Sequence, residues 1–127
     1  MVVDTSAMVA ILLAEPEAVS FAERLADAGG AVMSAAAYVE LRIIARSRGR
    51  RGEAQVDELL MDCGIDVLPV TVAQARIAAA AHERFGKGRH PAGLNFGDCF
   101  AYALARERGE RLLFKGGDFA RTDIEAA

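Results

Sequence analysis

An apolar dipeptide that runs straight into an acid constrains this chain most. Val2-Val3 is followed at once by Asp4-Thr5-Ser6. A short apolar run of this kind reads as a buried strand, and Asp4 then stands at its carboxyl end. In open α/β sheets that end is where ligands bind. Glu40, Asp98 and Asp118 sit in comparable settings, at element ends or on an apolar face. Acids so distributed along a whole chain point to a cluster that binds a divalent cation.

The punctuation along the chain supports an α/β reading. Strands are expected at 1–3, 31–34, within 65–70 and at 112–114. Helices are expected at 6–13, 17–28, 36–47, 53–63, 72–85 and from Asn95 to about Arg108. Pro16, Gly29-Gly30 and Gly64 supply stops, and Arg48 to Gly52 reads as a basic turn. Strands that alternate with helices imply a parallel sheet covered on both sides. The 127 residues suit one domain over 1–127.

Composition bounds the partners. The chain is 53% hydrophobic with a formal net charge of −3. That argues against a grip on nucleic acid by bulk positive charge, while local basic groups or bound cations can still provide one. Arg42, Arg46, Arg48, Arg50 and Arg51 form one such group, and Lys87, Arg89 and His90 another. Each reads either as solvated surface or as a set of phosphate contacts. Cys63 and Cys99 lack metal or redox spacing and read as reduced core thiols. No apolar run is long enough to span a bilayer, and no leader pattern opens the sequence, so a soluble, cytoplasmic protein is expected.

Each acid has a bland and a functional reading. Asp4 and Ser6 are both residue types that cap helices. They equally suit a metal-binding carboxylate with a supporting hydroxyl. On a helical wheel of residues 36–47, Tyr38, Arg42 and Arg46 form the polar edge. Glu40 falls between Ile43 and Ile44, inside the apolar arc. A buried carboxylate costs several kcal/mol without a partner, so Glu40 requires a cation, either arginine or metal. Asn95 and Asp98 have the spacing of a capping box, and Gly97 leaves room for a phosphate or metal to approach. Asp118 and Asp123 read as turn residues or as further site acids. His82 and His90 lack ligand spacing. The apolar stretch 7–13 and the helix after it exceed what one small core buries, which suggests a groove for a partner.

Taken in order, these motifs resemble the PIN-domain ribonucleases, and most closely the VapC-type toxins. The carriers are Val2-Val3-Asp4-Thr5-Ser6-Ala7, Glu40, Asn95-Phe96-Gly97-Asp98-Cys99, and Leu112 to Phe119 with Thr122-Asp123. The resemblance covers essentially the whole chain. It implies a three-layer α/β/α fold with a central parallel sheet of four or five strands. It also implies Mg²⁺- or Mn²⁺-dependent endoribonuclease activity, a cognate antitoxin and a homodimer. Asp4, Glu40 and Asp98 match the family's acidic triad, and Ser6 its supporting hydroxyl. Many relatives carry a fourth acid where this chain has Gly116, so Asp118 either serves instead or only orders the loop, with Asp123 in support. Arg42, Arg46, Lys87 and Arg89 are the expected RNA contacts.

Three other readings compete. A receiver-like phosphotransfer domain would end its middle strand in the acceptor acid, but Asp66 precedes or begins that strand. A haloacid-dehalogenase-like phosphatase would want a second Asp at Ser6. A degenerate PIN fold that only binds is the non-enzymatic alternative, and the intact Asp4, Glu40 and Asp98 argue against it.

Overall fold

The computed structural model describes residues 1–47 and 50–127, and at 50 and 51 it describes the backbone alone. Four strands form a parallel sheet in the order β3-β2-β1-β4, with β1 at Val2–Val3, β2 at Ala31–Ser34, β3 at Ile65–Leu68 and β4 at Leu112–Leu113. The helices are α1 (Thr5–Leu12), α2 (Ala18–Ala28), α3 (Ala35–Arg46), α4 (Arg50–Asp62), α5 (Val72–Phe85) and α6 (Asp98–Arg108). A 3-10 turn follows β4 at Phe119–Arg121.

The register explains why β1 can be apolar at both positions. Val2 pairs with Leu112 and Val3 with Leu113. Val2 and Leu112 pack with residues of α5 and α6, such as Ala78, Phe85 and Leu104. Val3 and Leu113 pack on the other face with Met8, Leu25, Leu41 and Val56 of α1 to α4. Both valines have no exposed surface. The sheet therefore lies between two helical layers, as parallel sheets require. The three-layer architecture holds, with four strands.

Local chemistry sets most helix starts. Asp4, Ser34 and Thr71 cap α1, α3 and α5, their side chains accepting from Ser6 N, Ala36 N and Gln74 N. The stop of α1 is less ordinary. Glu15 N donates to Ala10 O and Ala14 N to Ile11 O, a Schellman closure. It places Ala14 at a φ of 50°, left-handed space that favours glycine. Ala14→Gly is expected to raise stability by about 0.5–1 kcal/mol, read as a higher urea midpoint with an unchanged slope.

Three expectations are corrected. α4 starts at Arg50 rather than Glu53, so Arg50 to Gly52 belong to a helix. Arg48 and the side chains of Arg50 and Arg51 lie outside the described residues. α6 begins at Asp98, because Asn95 stands ahead of the helix as its capping partner. The apolar surplus at 7–13 is smaller than the sequence suggested. Ala7, Met8 and Ala10 are fully buried, and Ile11 and Leu12 pack partly against the same cluster. The exposed large apolar side chains lie elsewhere and include Val39, Ile43 and Phe96. Among the described residues, no helix is long and apolar enough to cross a membrane.

Candidate active site

The sheet order places β1 between β2 and β4, so the chain leaves β1 toward one side and returns on the other. That is a topological switch point, where the loops after adjacent strands part and open a crevice. The cleft there has a volume of about 420 Å³. Asp4, Ser6, Glu40, Asp98, Asn95, Lys115 and Asp118 all line it. The four acids singled out in the sequence, up to 114 positions apart in the chain, thus converge on one cavity.

Asp4 is positioned by the backbone on both sides. Its N–H donates to Leu113 O at 2.9 Å, tying it to β4. Its Oδ2 accepts from Ser6 N at 2.9 Å and from Ser6 Oγ at 2.6 Å. Ser6 Oγ in turn accepts from Lys115 N at 3.0 Å, so the serine bridges the ends of β1 and β4. Thr5 Oγ1 donates to Ala37 O at 3.1 Å and anchors α3 at the same place. Asp4 therefore caps α1 through Oδ2 while its side chain also lines the cleft.

The capping box at Asp98 behaves likewise. Asp98 N donates to Asn95 Oδ1 at 2.9 Å, and Asn95 N donates to Asp98 Oδ2 at 2.8 Å. Asp98 Oδ1 has no hydrogen-bond partner among the described residues. Glu40 approaches from α3. A Cβ on Gly97 would stand 3.0 Å from Glu40 Oε2. The space that Gly97 leaves is thus taken by a carboxylate of the chain itself.

The wheel placed Glu40 on the right side of α3, but the arc around it divides three ways. Ala37, Leu41 and Ala45 face the core, Glu40 and Ile44 line the cleft, and Val39 and Ile43 are 55% and 64% exposed. Glu40 is half-buried and makes no ion pair among the described residues.

Electrostatics mark the cleft as short of positive charge. Burial pushes the Asp4 carboxyl up, against the Ser6 hydrogen bonds, and Glu40 adds to the rise. Asp98 is pushed up to about 6, by burial first and then by Asp4, Asp118 and Glu40, against the Asn95 hydrogen bond. Buried acids that repel one another in this way favour a bound cation. Among the described residues, no three acidic, His or Cys side chains close into a complete ligand set. Mg²⁺ does not demand one, since it keeps several waters and takes one or two carboxylates directly. The donors lining the cleft are hard oxygens, without sulfur or imidazole, and fit Mg²⁺ or Mn²⁺.

The model of the PIN domain family matches residues 1–125. The chain belongs to the PIN-domain family. Its relatives there are VapC ribonucleases. The chain is 49% identical to Ribonuclease VapC28 of Mycobacterium tuberculosis, covering 100% of this chain and 97% of that one. It is 47% identical to a Ribonuclease VapC of Mycolicibacterium smegmatis, with 99% and 98% covered. The fold is also that of Mycobacterium tuberculosis VapC20, described as a sarcin-ricin loop cleaving toxin, with a TM-score of 0.78 at 19% identity over 99% of this chain and 97% of that one. A toxin–antitoxin complex from Klebsiella pneumoniae shares the fold with a TM-score of 0.72 at 16% identity, covering 96% and 92%.

Within this PIN fold, other anticipated site residues lie elsewhere. Asp123 is absent from the cleft lining: its Oδ1 accepts from Tyr102 Oη at 2.7 Å and its Oδ2 from Arg84 at 2.9 Å. It ties the C-terminal segment to α5 and α6. Arg42 pairs with Asp57 at 3.0 Å and Arg46 Nε with Glu53 at 2.7 Å, so both brace α3 against α4. Lys87 and Arg89 are exposed in the loop that leads into the capping box. His90 Nδ1 accepts from Ala92 N within that loop. Asp118 opens the 3-10 turn without capping it through its side chain, which leaves the carboxylate uncommitted at the cleft. Glu15 and Thr5 are cleft residues to which sequence reasoning gave no role: Glu15 stands in no local pattern that sets it apart, and Thr5 stands out only as part of the opening motif.

Proposed function

We propose that this chain is a metal-dependent endoribonuclease acting as the toxin of a toxin–antitoxin pair. The observation that carries the reading is the convergence of Asp4, Glu40 and Asp98 at the switch point, with burial and mutual repulsion raising Asp4 and Asp98. Membership among the VapC ribonucleases supplies the substrate class.

In this reading Asp4 and Asp98 hold Mg²⁺, or Mn²⁺ in its place. Bound there, the cation supplies Lewis acidity to the scissile phosphate and neutralises charge that builds on it. Glu40 orients the attacking water and accepts its proton. Ser6 holds Asp4 in its rotamer, and Asp118 stands as the fourth acid in place of the one missing at Gly116. Lys87 and Arg89 contact RNA phosphates outside the cleft. Water attack leaves a 5′-phosphate on the product, and cyclic-phosphate ends would contradict it. The partner is a cognate antitoxin protein, whose Arg or Lys inhibits if it reaches the acids. Active toxin is a homodimer in the cytoplasm, with Val39, Ile43 and Phe96 as apolar surface for such contacts.

The test compares purified protein with Glu40→Gln on total RNA, with Mg²⁺ or with chelator. Glu40 has no ion pair to lose among the described residues, so the variant should fold like the parent. Cleavage should require the metal and fall at least about a hundredfold in the variant. Equal, metal-independent cutting by both would reject the assignment. Protein that binds RNA and metal without cutting would be the degenerate module instead.

A further inference from the structure

The cleft carries one cation for which the carboxylates provide no role. Among the described residues lining it, Lys115 is the only basic one. It stands two residues after β4, and its backbone N–H is spent on Ser6, which fixes where its side chain starts. Its Nζ lies 2.8 Å from Glu15 Oε2 and 2.9 Å from Glu17 Oε2. Both glutamates come from the turn between α1 and α2, which the left-handed Ala14 bends. The acids and the lysine therefore approach from opposite ends of the chain, 100 positions apart for Glu15 and Lys115.

The arrangement is open rather than sealed. The Lys115 side chain is 35% exposed, and its partners are 32% and 42% exposed. Pairs at that exposure are weak, so they orient the ammonium without locking it away. An ammonium has three donors. Glu15 accepts one of them, and Glu17 Oε2 stands at ion-pair distance without a hydrogen bond, which leaves donor capacity for an anion. A phosphodiester that enters this cleft meets carboxylates on nearly every side, and repulsion between them is strongest where water is excluded. An ammonium on the wall gives the incoming strand a point charge to bind.

We propose that Lys115, propped by Glu15 and Glu17, is a substrate-binding residue that takes a backbone phosphate of RNA beside the acidic cleft. This rests on the ribonuclease reading above. The competing role is a staple between the loop after β4 and the α1–α2 turn. The two roles differ in salt dependence, because only a phosphate contact displaces counterions from RNA.

The experiment uses the whole chain and a fluorescein-labelled single-stranded RNA oligonucleotide. Binding is followed by polarisation in chelator over a range of KCl, and cleavage kinetics are run with Mg²⁺. For Lys115→Gln, binding should weaken roughly tenfold at low salt, and the slope of log K against log salt should flatten by about 0.7. In the cleavage assay KM should rise with kcat little changed, and Lys115→Arg should restore most of the affinity. An unchanged affinity and slope in Lys115→Gln, with a lowered thermal midpoint, would leave the staple and overturn the proposal. If the parent protein binds RNA but does not cut it, the nuclease reading fails while the binding arm still decides the role of Lys115.

Discussion

Asp98→Asn is expected to make the metal-free protein more stable while reducing RNA cleavage by about a thousandfold. The reason for the stability gain lies in the cost of ionising this carboxyl where it sits. Its folded value stands near 6, above the ordinary 3.8, because burial outweighs the hydrogen bond from Asn95 N and the neighbouring acids add to it. A carboxyl raised on folding binds protons more tightly in the folded state. Stability therefore falls as pH rises from about 4 to about 6, and the full penalty persists above that window. Asparagine keeps an oxygen for Asn95 N and carries no charge, so the penalty disappears. Asp98 is only half-buried, which limits the gain to about 1 kcal/mol, or a few degrees in a chain of this size. Thermal unfolding from pH 4 to 8 in chelator checks it: the curves should meet near pH 4, separate as pH rises to about 6 and stay apart by a constant margin above that, with the variant higher. Added Mg²⁺ should then lift the parent more than the variant, by mass action. A variant less stable than the parent at pH 7 in chelator would show that the carboxylate supports the fold.

The second large effect concerns packing. Gly52→Ala is expected to destabilise the protein by about 3 kcal/mol. A Cβ at Gly52 would stand 2.2 Å from Ala45 O and 2.8 Å from Ala45 C. Those are backbone atoms of α3, so no rotamer change relieves the clash, and α4 has to move off α3. Alanine's better helix propensity offsets only about 1 kcal/mol of this. The contact is reinforced by the bonds from Tyr38 Oη and Arg42 to Asp57 and from Arg46 to Glu53, all sensitive to the same spacing. Because α3 also carries Glu40, cleavage should decline with stability rather than independently of it. A urea midpoint lowered in proportion confirms the close approach; parental stability would mean that the helices do not touch there.

How far the residues alone could be read follows from how far each interaction reaches. Capping at Asp4 and Asn95–Asp98 involves neighbours two or three positions apart, and a sequence displays those pairs directly. Burial of β1 on both faces was legible because an apolar pair next to an acid has few alternatives. The acids at 4, 40 and 98 were legible partly from residue patterns and partly from family resemblance. Periodicity could place Glu40 on an apolar arc. It could not divide that arc among core, cleft and solvent, because the division depends on which helices flank α3.

Composition and local pattern thus determined the alternation of strands and helices, the caps and the acids worth watching. Tertiary structure decided which acids meet. Strand order sets β1 beside β4 and so brings Asp118 and Lys115 to Asp4. It leaves Asp123, just five residues beyond Asp118, bonded to Tyr102 and Arg84 instead. The same order seats Glu15 and Glu17 against Lys115 and commits Arg42 and Arg46 to α4. Pairings of this kind are made across whole elements, and their partners are chosen by sheet order and helix packing, which no short window of sequence contains.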